Sequence, residues 1–136
     1  LVPGMIELDY GRIVNIISTS VREPIQGLGV SNTTRGAVAS WAKTLSKELG
    51  PNGITINSVL PGFTDTSRLS QLMEKKASNE GKTPNEVKDT WLGSIPLGRL
   101  ASASEIGSAV AFLCSPAAAY ITGVCLPVDG GRLNLI

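Results

Sequence analysis

Chemistry-capable side chains stand at two strand ends in this sequence: Ser18 with the loop after it, and the segment PGFTDT at 61–66. Ser18 closes the apolar run GRIVNIIS, 11–18. The PGFTDT segment follows a second apolar run, ITINSVL, and precedes a polar stretch of helical character. Its backbone N–H groups and the hydroxyls of Thr64 and Thr66 are suitable donors for a carboxamide or a phosphate. Alone this signal is weak, because a Pro-Gly step after a strand is more often an ordinary turn. Ser31, Asn32 and Thr33 are all good N-cap types, and Arg35 reads by itself as a charge in the first helical turn. The helix dipole opposes a cation there, which favours an anionic partner for Arg35. The sequence contains no histidine. Ser-His-Asp triads, Cys-His dyads and His-based zinc sites are therefore excluded.

These residues need elements to hold them. GRIVNIIS is rich in isoleucine and valine and reads as a central parallel strand buried on both faces. The stretch 19–30 contains Pro24, Gly27 and Gly29 and reads as a loop. A helix is predicted over 33–49, with Val38, Trp41, Ala42, Leu45 and Leu49 on one face and Gly50-Pro51 as the stop. A strand over 54–60 follows, and strand, helix and strand make one right-handed βαβ unit. The region 66–94 is polar and helical, and Thr83-Pro84-Asn85-Glu86 starts its second helix with a capping box. A second capping box, Ser102 with Glu105, opens a helix that turns Ile106, Ala109, Val110 and Leu113 inward. The last strand is predicted over 124–128, before Asp129-Gly130-Gly131. In open parallel sheets ligands bind outside the carboxyl ends of the strands, which selects Ser18 and 61–66.

Bulk composition narrows the function classes. Hydrophobic residues make up 42% and charged residues 17% of the 136, the balance of a globular chain. Twelve basic residues against eleven acidic, scattered along the chain, make no electrostatic case for nucleic acid or a membrane surface. No apolar run is long enough to span a bilayer, and no signal peptide is visible. Cys114 and Cys125 stand isolated in apolar contexts and read as buried free thiols of a reducing cytoplasm.

Four ordered blocks carry a resemblance across essentially the whole chain: GRIVNIIS, then AVASWAKTLSKELGPNGITINSVLPGFTDT, then IPLGRLASASEIGSAVAFLCSPAAAYITG, then VDGG. Together they resemble the second half of the short-chain dehydrogenase/reductase family, in its 3-oxoacyl-acyl-carrier-protein reductase-like branch. The resemblance implies an α/β fold, the C-terminal half of a Rossmann-type doubly wound parallel sheet. The chain is then a single partial domain, 1–136, holding the last three strands with their helices, and 64–95 is an insert that could cover the substrate. The family's glycine-rich phosphate loop, first strands and Asn-Asn-Ala-Gly segment are expected before Leu1.

What the resemblance implies for the site is specific. A serine ends the family strand matching GRIVNIIS, and Ser18 holds that position. The family's Tyr-x-x-x-Lys motif falls on Ser31 and Arg35, so the catalytic positions are Ser18, Ser31 and Arg35. The cofactor side is assigned to Ile16 and Arg35, and to Pro61, Gly62, Phe63, Thr64 and Thr66. Ser31 keeps the place of the phenol without its acidity, and Arg35 keeps a cation that cannot release a proton. The expected activity is an NAD(P)-dependent oxidoreductase acting on a carbonyl/hydroxyl pair such as a 3-oxoacyl thioester, with altered or weak catalysis. The alternative is a non-catalytic dinucleotide-binding or oligomeric scaffold of the same fold. NAD or NADP is expected in the full-length protein and none on this chain alone. A small-molecule substrate and a homo-oligomer are the expected partners, with no nucleic acid and no membrane, in the cytoplasm. Tyr10, at the amino end of its strand, and Tyr120, expected to pack internally, do not replace the missing phenol. The first strand is expected to present an open edge through which the isolated chain self-associates.

Overall fold

ITINSVL is buried along its whole length, and the fold is built outward from it. The computed structural model describes residues 1–134. Its elements are α1 (Val2–Glu7), β1 (Gly11–Ile16), α2 (Gly29–Leu49), β2 (Ile54–Pro61), α3 (Ser67–Glu80), α4 (Pro84–Gly93), α5 (Ala103–Cys114) and β3 (Cys125–Val128). The three strands form one parallel sheet in the order β1-β2-β3. Gly11 pairs with Ile54 and Ile16 with Val59, while Ser58 to Pro61 pair with Cys125 to Val128. All three strands therefore end on the same edge.

Alternation along β2 divides the core into two. Ile54 and Ile56 face α2 and pack with Ala42, Ile13, Leu45 and Leu49, with Met5 of α1 closing the end. Val59 faces α5 and packs with Ile106, Leu113 and Ala118. A sheet covered by helices on both faces is the doubly wound arrangement expected from the sequence. Each fully buried aliphatic side chain in these layers contributes roughly 1.5–3 kcal/mol from area removed from water. Asn57 is the polar exception inside β2, 1% exposed, and both ends of its amide are used. Its Nδ2 donates to the Ile121 carbonyl at 2.8 Å, and its Oδ1 accepts from the Val124 N–H at 3.2 Å. This clamps the approach to β3 and keeps the outer strand in register.

Several local expectations change. The helix α2 begins at Gly29, one turn earlier than predicted, so Ser31 and Asn32 lie inside its first turn. Leu28 starts it without a side-chain cap, having no polar atom to offer, while the hydroxyl of Ser31 and the amide of Asn32 have other partners. Arg35 consequently sits a full turn deeper in the helix, where the dipole argument for an anionic partner loses its force. Trp41 does not lie on the packed face but is half exposed, since Ala42, Leu45 and Leu49 take the contact with β2. Strand β1 is only half buried, with Ile16 exposed at its end, because β2 is its one neighbour. Cys114 is exposed, and Tyr120, expected in the core, is fully exposed, as Leu113 and Ala118 supply the packing around them. Helix α1 was not foreseen; Pro3 and Gly4 obscure its helical character, although proline is well tolerated in a first turn. Both capping boxes form as predicted, at Thr83 with Glu86 and at Ser102 with Glu105.

Candidate active site

Strand β1 delivers its last residues to the carboxyl edge of the sheet. The Ile17 N–H still bonds to the Val59 carbonyl at 3.0 Å, and the chain then leaves the sheet. Ser18 is extended, and its Oγ accepts the Ser20 N–H at 3.0 Å, capping a short 3₁₀ turn over Thr19–Val21. Thr19 and Ser20 are buried beneath that turn.

Helix α2 presents Ser31 and Arg35 to the same place, one turn apart. Arg35 Nε donates to Ser31 Oγ at 3.1 Å, and Nη1 donates to the Ile17 carbonyl, next to Ser18. The guanidinium thus ties the helix to the strand end and orients the hydroxyl. Ile16, Ile17, Ser31 and Arg35 line an open cavity of about 520 Å³, shared with Val14, Asn15, Thr34 and Val38. The Asn15 Nδ2 is buried without a hydrogen-bond partner among the described residues. Neither tyrosine reaches this cavity. The Tyr10 hydroxyl donates to the Cys114 carbonyl at 3.1 Å, and Tyr120 points into solvent.

The segment 61–66 stands at the end of β2, on the same edge but outside that cavity's lining. The Gly62 N–H bonds to the Val128 carbonyl at 3.0 Å. A Cβ on Gly62 would stand 2.7 Å from the Asp129 Cα, so only glycine lets the two backbones approach this closely. Thr64 bridges to Ala101 through the Phe63 carbonyl and the Asp65 N–H. That pattern leaves the Thr64 N–H without a hydrogen bond among the described residues, a free donor of the kind a carboxamide would take. The Thr64 hydroxyl donates to the Gly62 carbonyl at 3.3 Å, and Thr66 is the N-cap of α3, accepting the Leu69 N–H at 3.3 Å.

Helices α3 and α4 pack on each other and return to this edge through Trp91. Its ring stacks on Phe63 with centroids 4.8 Å apart and planes 10° from parallel. Arg132 lies over the same phenyl ring, 4.9 Å from its centroid, and its Nη1 donates to Thr19 Oγ1 at 3.3 Å. Trp91, Thr19 and Arg132 were not anticipated, and only the aromatic character of Trp91 in a polar helix hinted at a partner. A smaller hollow of about 100 Å³ lies beyond Phe63, between Arg99, Glu105 and Asp129. There Arg99 forks onto Glu105 at 2.6 and 2.8 Å. That guanidinium, together with the Ser102 N–H, holds the Glu105 carboxyl down to about 2. Among the described residues no group of three His, Cys, Asp or Glu could hold a metal ion, and no helix is long and apolar enough to cross a membrane.

A family model described as enoyl-(acyl carrier protein) reductase matches residues 1–132 of this chain. The chain belongs to the short-chain dehydrogenase/reductase family. Among curated members of that family it is 38% identical over 130 residues to the 3-oxoacyl-acyl-carrier-protein reductase of Pseudomonas aeruginosa. That match covers 94% of this chain and 47% of the reductase. A crystal structure of an actinorhodin polyketide ketoreductase with NADPH superposes with a TM-score of 0.91 at 33% identity, over 97% of this chain and 51% of that one. An NAD⁺-bound xylitol dehydrogenase gives a TM-score of 0.89 at 30% identity, over 96% of this chain and 52% of that one. The chain spans about half the length of the short-chain dehydrogenase/reductase proteins it matches, and within that half the doubly wound arrangement is reproduced.

Proposed function

We propose that the protein carrying this chain is an NAD(P)-dependent oxidoreductase that interconverts a carbonyl and a hydroxyl, on a substrate such as a 3-oxoacyl thioester, with slow proton chemistry. The observation that carries this reading is the bond from Arg35 Nε to Ser31 Oγ at the end of β1. Accepting that bond leaves the Ser31 hydroxyl proton free to point at a substrate oxygen. The adjacent guanidinium polarises the hydroxyl and favours negative charge developing on that oxygen. Ser18 follows the Ile17 carbonyl that Arg35 holds, outside the cavity's lining, and its hydroxyl is the second one the reading invokes.

Serine does not replace a phenol as an acid. A phenol begins near pKa ~10 and an aliphatic alcohol lies far above it, while the guanidinium cannot deprotonate. The product alkoxide therefore takes its proton from water. Loss of a positioned general acid costs roughly 10²–10⁴ in rate, or about 3–5 kcal/mol of barrier. A reduced nicotinamide, when bound, supplies the hydride. Ile16 and Arg35 on one side, and Pro61, Gly62, Phe63, Thr64 and Thr66 on the other, are the residues that would hold its reactive end. The free N–H of Thr64 fits a carboxamide, and Arg35 fits a ribose hydroxyl. This chain alone is expected to retain no cofactor, because no glycine-rich phosphate loop occurs in its sequence. Relatives with NADPH and with NAD⁺ leave both nucleotides as candidates.

A homo-oligomer is part of the same reading. Helix α2 carries Val30, Ala37 and Trp41 exposed on one stripe, with Val30 at 85% and Trp41 at 51%. Exposed aromatic and aliphatic stripes of this kind are common at subunit contacts. The exposed free thiol of Cys114 fits a reducing compartment, and we place the protein in the cytoplasm.

One observation favours a second reading, a dinucleotide-binding scaffold without turnover. Arg35 spends two of its donors inside the protein, on Ser31 and Ile17. Oxidation of NADPH or NADH by the whole protein, with a 3-oxoacyl thioester, separates the two. Slow but measurable turnover abolished by Ser31→Ala supports the oxidoreductase. Turnover that appears only in Ser31→Tyr with Arg35→Lys supports the scaffold.

A further inference from the structure

We propose that Arg132 is a positioning residue that latches the α3–α4 segment to the Ser18 turn through the ring of Phe63. The proposal deepens the oxidoreductase reading, on which its kinetic part rests. Trp91 and Arg132 both lie within 5 Å of the Phe63 ring centroid, Trp91 nearly parallel to it and Arg132 over its face. One phenyl ring thus makes both an aromatic stack and a cation–π contact, and each prefers a fixed geometry.

The guanidinium does not float on the ring. Asp129 accepts the Gly131 N–H at 3.0 Å and the Leu133 N–H at 2.8 Å, folding the segment around Arg132 into a fixed turn. The Asn134 N–H adds a bond to Glu23 at 3.3 Å, beyond the Ser18 turn. Arg132 then donates to Thr19, a buried hydroxyl adjacent to Ser18. The far end of the segment is pinned as well. The Leu97 N–H bonds to the Gly130 carbonyl at 3.2 Å, just after α4 ends. Contacts thus run from Trp91 in α4, through Phe63 after β2, to Arg132 after β3 and Thr19 after β1. All three strand ends and the covering helix are joined at one point. A shift of α4 that broke the Trp91 stack would free Phe63 to move against Arg132 and loosen the turn holding Ser18. The latch therefore sets how closely the α3–α4 segment covers the substrate side of the crevice.

The experiment uses the whole protein in a Trp41→Phe background, which leaves Trp91 as the single tryptophan of this chain. Arg132→Met keeps much of the side-chain volume and removes the charge and the bond to Thr19. Arg132→Met is expected to raise acrylamide quenching of Trp91 two- to threefold, and Arg132→Lys to restore part of the protection. In the active protein Arg132→Met is expected to raise KM for the carbonyl substrate five- to tenfold while kcat changes less than twofold. Thr19→Val, which keeps the shape and removes the acceptor, is expected to reproduce both changes in smaller measure and serves if Arg132→Met does not fold. Unchanged quenching in the folded variants overturns the latch. Raised quenching with an unchanged KM overturns its coupling to the substrate side. Absence of turnover in the parent removes the oxidoreductase reading, whereas the quenching result still decides the latch.

Discussion

Arg35 Nε lies 3.1 Å from Ser31 Oγ across one turn of α2, and the same guanidinium reaches down to the carbonyl of Ile17. One side chain therefore orients the candidate proton donor and fastens its helix to the strand that ends at Ser18. The two roles make distinct demands, which Arg35 meets because its donors form a rigid fork.

Arg35→Met leaves the Ile17 carbonyl and the Ser31 hydroxyl without their donor in a half-buried setting. The expected loss is about 1–3 kcal/mol of stability, measured by urea unfolding of the whole protein. Arg35→Lys is expected to recover only part of it, because an ammonium cannot reproduce the forked geometry.

Gly62→Ala places a methyl group 2.7 Å from the Asp129 Cα, a backbone atom just beyond the end of the β2–β3 pairing. A loss of roughly 1–3 kcal/mol is expected as the β2 and β3 ends are forced apart. Thermal unfolding checks the stability, and any effect on activity should exceed that of Gly29→Ala, where the new methyl meets open space.

Asn57→Leu removes the donor to Ile121 and the acceptor for Val124 while keeping the apolar volume. Each backbone group left buried and unpaired costs about 1–3 kcal/mol. Hydrogen exchange is expected to show faster exchange of the Val124 amide and of the β3 amides than of the β1 amides.

The Glu105 carboxyl is held near 2, below its unfolded value, first by Arg99 and then by the Ser102 N–H. A depressed carboxylate pKa stabilises the fold above the unfolded pKa, and that contribution is lost as pH falls through the folded one. Glu105→Gln is therefore expected to melt below the parent at pH 7, with the gap closing between about pH 4.5 and pH 2. Because both partners are exposed, molar salt is expected to narrow the gap at pH 7 as well.

Much of the site was legible at the level of residues. The β-branched runs placed Ser18 and 61–66 at strand ends, and the parallel sheet brought those ends to one edge. Ser31 and Arg35 were paired by the resemblance, and i,i+4 neighbours do share a helix face. The start of α2 was not legible. Three good capping residues stand at 31–33, yet Ser31 and Asn32 bond elsewhere and the helix extends back to Gly29. Trp41 and Tyr120 were misplaced for a related reason. Periodicity marks a face as apolar without saying whether β2 or solvent meets it.

The sequence by itself determined three parallel strands, the helices between them, two capping boxes and the chemical identity of the residues at the family's motif positions. Each of these rests on interactions within a few residues or on alternation, which are written locally. The tertiary structure alone decided which side chains meet over long separations. Arg132 bonds to Thr19 across 113 positions, and Asn57 clamps Ile121 across 64. The Trp91–Phe63–Arg132 stack likewise joins an insert helix to two strand ends. No local pattern encodes such contacts, because they exist only once burial of the β2 core has folded distant segments onto one edge of the sheet.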